Sequence, residues 1–150
     1  MRHALILFLA SAFFALVTTA AWHYDTSRAT QVARERQQAI DARLQELETD
    51  YLQGARSLLA LVPADLATGH SSKEDLLAQI DAMLASPASS LDRNARDIAF
   101  DDLVGRVRDV LLRVAPETFG DSIAQEWRRQ NDRMNGALHR RNLLLEQARP

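Results

Sequence analysis

Three carboxylates stand close together at Asp97, Asp101 and Asp102. Carboxylates grouped this closely on a helix can share a proton for acid/base work or hold a divalent cation. Arg93, Arg96 and Arg106 lie within one helical turn of members of the group, and Asp102 to Arg106 is the i, i+4 spacing of a surface ion pair. A charge-laced outer helix face therefore accounts for the cluster better than a catalytic site. The four histidines, His3, His23, His70 and His139, include no pair at the i, i+3 or i, i+4 spacing of helical metal sites. They read as solvated side chains, and neither metal nor cofactor is expected. Ser71, Ser72, Ser86, Ser89 and Ser90 fall at helix starts and linkers, where hydroxyls cap and turn the chain. No Gly-x-Ser-x-Gly elbow or phosphate-binding glycine loop occurs. The chain has no cysteine, which excludes disulfides, thiolate zinc, a cysteine nucleophile and a cysteine-borne lipid. No enzymatic activity is expected.

Two further groups lie near the carboxyl end. From Glu126 to Pro150 six arginines face three carboxylates, a net of +3. Arg128, Arg129, Arg133, Arg140 and Arg141 form a candidate basic face for an acidic partner or anionic lipid headgroups. The plainer reading is a solvated helix face. Nucleic acid is not expected, because no aromatics interleave for stacking and the whole chain carries −2. Asn135 and Asn142 are seven residues apart and share a helix face, with Asn131 one turn earlier. Buried, they would fix helix register or packing; exposed, they are surface polars.

These residues need elements to hold them. A chain of 150 residues forms one domain. Its hydrophobic fraction, 47%, is ordinary, yet sixteen of the first twenty-one residues are apolar. Ala4–Ala21 spans eighteen positions without a charge. As a helix it would be roughly 27 Å long, close to a hydrocarbon core of about 30 Å. Trp22 and Tyr24 follow where an interfacial aromatic belt would sit. A signal peptide also fits, with Arg2 and His3 before the run and the small residues Thr18-Thr19-Ala20-Ala21 at its end. The chain thus divides into a signal-anchor segment, residues 1–25, and a helical domain, residues 26–150. The short basic start favours a body in the periplasm, although Arg28, Arg34 and Arg36 weaken the charge asymmetry.

Pro63, Pro87 and Pro116 cut that domain into helices. The first is expected from an N-cap at Ser27 to Val62, more than about 50 Å, with a stripe at Ile40, Leu44, Leu47, Tyr51, Ala55, Leu58 and Val62. The second opens on the capping-box pair Ser71 and Glu74 and buries Leu76, Leu77, Ile80, Met83 and Leu84. A third, 90–115, points Leu91, Ala95, Ile98, Val107, Val110, Leu111 and Val114 inward. The fourth runs from Gly120-Asp121 to Ala148 through Ile123, Trp127, Met134, Leu138 and Leu145. Nothing alternates like a strand. Gly54, Gly105 and Gly136 fall inside helices, where glycine costs about 1 kcal/mol, and mark either loosened turns or close helix contacts. The expected fold is all-α: an N-terminal transmembrane or signal helix, then a three- to four-helix antiparallel bundle.

The stretch Met134 to Leu145, MNGALHRRNLLL, resembles the YN-x-A-V-x-x-YN signature of LemA proteins. The apolar N-terminal run, the element Ile40-Asp41-x-x-Leu44 and Pro116-Glu117 before the last helix are similar in order and spacing. Met134 and Arg141 replace the two aromatics, and the Arg-Arg and Leu-Ile-Pro elements are missing. The interval from Pro116 to the asparagine pair is about three turns shorter. The resemblance implies a non-enzymatic, membrane-tethered helical scaffold or protein-binding module of the bacterial cell envelope. Its partners would be the bilayer, through Ala4–Ala21, and a second protein or a further copy of itself. The alternative is a signal-cleaved, soluble periplasmic binder or chaperone.

Overall fold

A computed structural model describes residues 2–63, 72–86 and 93–148, with side chains from residue 18 onward except at 20, 21, 25 and 118. Four α-helices and one 3-10 turn follow in order among the described residues: α1 Arg2–Leu61, α2 Lys73–Ala85, α3 Arg93–Leu111, the turn Pro116–Thr118, and α4 Asp121–Ala148. No strand occurs among them.

Their boundaries follow from local chemistry. No proline interrupts α1, and it does not begin at Ser27: that hydroxyl donates 2.7 Å to the His23 carbonyl within the helix instead of capping a start. The cap of α2 is Ser72, whose hydroxyl accepts from the Asp75 N–H at 3.1 Å, one residue past the expected pair. Ser71 lies outside the described residues. Arg108 sits in the last turn of α3, where a cation complements the free carbonyls. Pro116 opens the 3-10 turn, a position that needs no N–H donor.

Two compact units are distinguished, Met1–Asp41 and Ala42–Pro150. In the first, the described side chains are exposed up to residue 39, among them Trp22, Tyr24 and Val32. Trp22 packs edge-on against His23 at 5.8 Å between ring centroids. The side chains of residues 4–17 lie outside the described residues, and with them most of the expected Ala4–Ala21 span. Among the described residues no helix is long and apolar enough to cross a membrane.

The second unit is a four-helix bundle with alternating direction. Arg56 of α1 meets Asp81 of α2, while Lys73 reaches the Ala60 and Val62 carbonyls, so α1 and α2 run opposite. Arg106 of α3 bonds Gln79, and Arg96 bonds the Ser86 carbonyl, so α2 and α3 also run opposite. On α4, Arg133 pairs with Asp50 and Arg141 with Glu48, which sets α4 against α1. Short connections and alternating apolar faces make this arrangement the natural way to bury each stripe.

The core holds the expected α1 stripe from Leu44 to Val62, widened by Leu52 and Leu59. Leu76 and Ile80 join from α2, and Trp127, Met134 and Ala137 from α4. The first half of α3 differs from expectation. Ala95 and Ile98 face solvent, with Ile98 71% exposed, and the inner face is Arg96, Phe100, Leu103, Val107 and Val110, continued past the helix end by Val114. Its steps of four, three, four, three and four include a charged residue, which hides the stripe from a purely apolar reading. Ile123 is likewise exposed, with Ala124 inside in its place. Leu91 lies outside the described residues.

The helical glycines are not alike. A Cβ on Gly54 would stand 3.2 Å from the Met134 Cβ and 3.6 Å from the Gln130 carbonyl, so α1 and α4 approach closely there. Gly105 faces open space, and Gly136 would meet only the tip of Arg140.

Candidate functional site

Three charged side chains are buried among the described residues, Glu48, Arg96 and Arg141, and they meet. Glu48 on α1, 3% exposed, accepts from two arginines at once: Arg96 Nε at 3.0 Å on one carboxylate oxygen and Arg141 Nε at 3.2 Å on the other. Arg141, 1% exposed, also donates to Asp97 at 2.8 Å and Asp101 at 3.0 Å. Its guanidinium lies 4.4 Å from the Phe100 ring centroid, which adds a cation–π contact. Arg93 approaches Asp97 at 3.7 Å. Three guanidinium groups thus face three carboxylates, and the network is balanced in charge.

This arrangement revises two readings. Arg141 is not part of a basic docking face; it is the most completely buried large side chain of α4, held by carboxylates from α1 and α3. The Asp97 and Asp101 carboxylates are taken by Arg141, and Asp102 pairs with Arg106 at 2.9 Å as its spacing suggested. Among the described residues no group of His, Asp and Glu is disposed to hold a metal ion. Chemically, the network can fix the register of three helices, because each arginine leaves charges unmatched if its helix slides by a turn.

The rest of the basic face also thins out. Arg133 pairs with Asp50 at 2.8 Å and Arg129 with Glu126 at 2.8 Å. Hydrogen bonds from Gln130 and Arg129 hold the Glu126 carboxyl below its ordinary range. Arg128 and Arg140 are exposed and make no ion pair among the described residues. Twelve residues apart, they point about 120° away from each other around the helix. Asn135 and Asn142 are both exposed, whereas Met134, Ala137 and Arg141 of the same helix are buried. Trp22 and Tyr24 are 66% and 68% exposed in the first unit.

Beside the network lies a cavity of about 490 Å³, formed by α3, the chain after it and α4, with Tyr51 of α1 in its wall. Tyr51 links the two features, since its ring stands edge-on to Phe100 at 5.3 Å. Burial pushes the Tyr51 phenol well above its usual range, against the opposing charge of Arg108, so it keeps its proton. Asn131 and Asn135 stand one turn apart on the α4 side. Leu111, Trp127, Met134 and Leu138 supply the apolar surface. A volume of this order, apolar with few polar groups, is that of a small-molecule pocket.

No protein-family model, curated protein or solved structure matches this chain. What the described residues define is a four-helix bundle with an ion network centred on Glu48, Arg96 and Arg141 and an apolar cavity beside it. Sequence reasoning found the carboxylates, Arg141 and Asn135 but not their arrangement. A signal for it was present: Arg96 and Arg141 occupy inward positions of otherwise apolar stripes, and Glu48 adjoins Leu47 inside a core run.

Proposed function

We propose that this chain is a non-enzymatic, membrane-tethered helical binding module of the bacterial cell envelope, LemA-like in architecture. Ala4–Ala21 is the tether, and the bundle within Ala42–Pro150 presents the binding surface on the periplasmic side. One observation carries the reading: eighteen uncharged residues lead directly into Trp22 and Tyr24, two aromatics left 66% and 68% exposed. Exposed aromatics at that place suit the water boundary of a bilayer. A bundle whose buried charged residues, Glu48, Arg96 and Arg141, are engaged with one another suits a binding role better than catalysis.

The small residues Thr18 to Ala21 favour the second reading, a secreted binder freed by a signal peptidase. Fractionation with intact mass measurement separates the two. A full-length mass that stays in the membrane pellet through an alkaline carbonate wash supports the tether. Release by the wash, with about twenty N-terminal residues missing, rejects it.

A further inference from the structure

We propose that the cavity between α3 and α4 binds a small organic monocarboxylate, with Arg108 as counter-ion and Leu111, Trp127, Met134 and Leu138 around the apolar body. The argument starts from charge. On α3, Arg93, Arg96 and Arg106 each meet a carboxylate. Arg108 makes no ion pair among the described residues, and it stands in the wall of a cavity whose lining contains neither Asp nor Glu. One guanidinium without a counter-charge, beside an apolar volume of about 490 Å³, matches a ligand with one negative charge on an apolar frame.

The remaining polar groups fit the same ligand. A guanidinium offers a carboxylate two parallel N–H donors, a geometry an alcohol or an amine cannot use. Asn131 and Asn135 lie one turn apart on the facing helix, so their carboxamides can donate to the same headgroup. Tyr51 keeps its hydroxyl proton and adds a neutral donor without adding negative charge. An amine would meet the Arg108 charge with no carboxylate to offset it. For the body of the ligand, Met134 and Trp127 give a polarizable and an aromatic surface that accept either an alkyl or an aryl group. The site rests only on residues within Ala42–Pro150 and is independent of how the chain is attached to a membrane.

Isothermal titration calorimetry on the full chain tests this, in lipid nanodiscs if the chain stays with membranes and in plain buffer if it does not, with the matching protein-free sample as the blank. The probes are 4-butylbenzoate and its neutral counterpart 4-butylbenzyl alcohol. The benzoate is expected to bind about tenfold or more tighter than the alcohol, the size of a charge-assisted hydrogen bond. Arg108→Gln should remove that preference and leave alcohol binding as it was. Asn135→Trp, which fills the cavity from an exposed position, should weaken both probes by about tenfold or more. Arg108 is exposed as well, so neither change empties the core. Equal binding of the two probes, an unchanged benzoate affinity in either variant, or no benzoate heat at millimolar concentration would overturn the proposal.

Discussion

Glu48 divides its two carboxylate oxygens between Arg96 and Arg141, and that division ties α1 to α3 and α4 through one side chain. Removing water from such ions is expensive, and the cost is offset here because both Glu48 oxygens and all three Arg141 nitrogens find partners. Arg141→Ala should cost about 3–5 kcal/mol, since it leaves two guanidinium groups, Arg93 and Arg96, for three carboxylates, and one oxygen of the buried Glu48 without its partner. Arg141→Lys keeps the charge but cannot span three carboxylates, and should still cost on the order of 2 kcal/mol. Arg128→Lys and Arg140→Lys, on solvated positions, should stay within about 0.5 kcal/mol. Chemical denaturation of the four variants ranks them directly. Tyr51 adds a pH signature. Its folded-state pKa lies above the unfolded value of 10.0, so its contribution is complete below pH 10 and is lost as pH rises further. Stability should therefore decline more steeply above pH 10 in the native chain than in Tyr51→Phe, as thermal melts between about pH 9 and pH 11.5 would show.

At the level of the element, α3 decides most. Its inner face begins at Arg96 and continues through Phe100 and Leu103, and Ile98 is left in solvent. Phe100→Ala should cost about 3–5 kcal/mol, because the ring lies between Tyr51 and the Arg141 guanidinium. Ile98→Gln should change stability by less than about 0.5 kcal/mol. The opposite order would place α3 the other way round. The glycines separate in the same manner. Gly105→Ala should stabilise by about 0.5–1 kcal/mol, since open space surrounds the added methyl. Gly54→Ala should destabilise, because the Met134 Cβ is tied to the backbone of α4 and cannot move aside. Thermal unfolding of both variants checks the contrast. Helical spacing and prolines made the number of helices legible in the sequence, and the α1 stripe with it. The rotation of α3 was not legible, because a helix face containing Arg96 looks like a solvent face until Glu48 is brought opposite. The same holds for Arg141, whose surroundings come from residues 40 to 93 positions away in the chain.

For the whole molecule, the composition divides into an apolar first stretch and a helix-patterned remainder. Described side chains of Met1–Asp41 are exposed up to residue 39, whereas Ala42–Pro150 holds the core, the ion network and the cavity. The proposed tether places the eighteen uncharged residues Ala4–Ala21 in a bilayer, a medium that their length as a helix fits. The aromatic pair after that segment reports on it most directly. With Trp127→Phe, Trp22 is the sole tryptophan of the chain, and its fluorescence can be followed in nanodiscs with and without brominated lipid. The expected result is emission shifted to the blue and strongly quenched by bromine at interfacial depth. Emission of a fully hydrated indole, indifferent to brominated lipid, would contradict the tether.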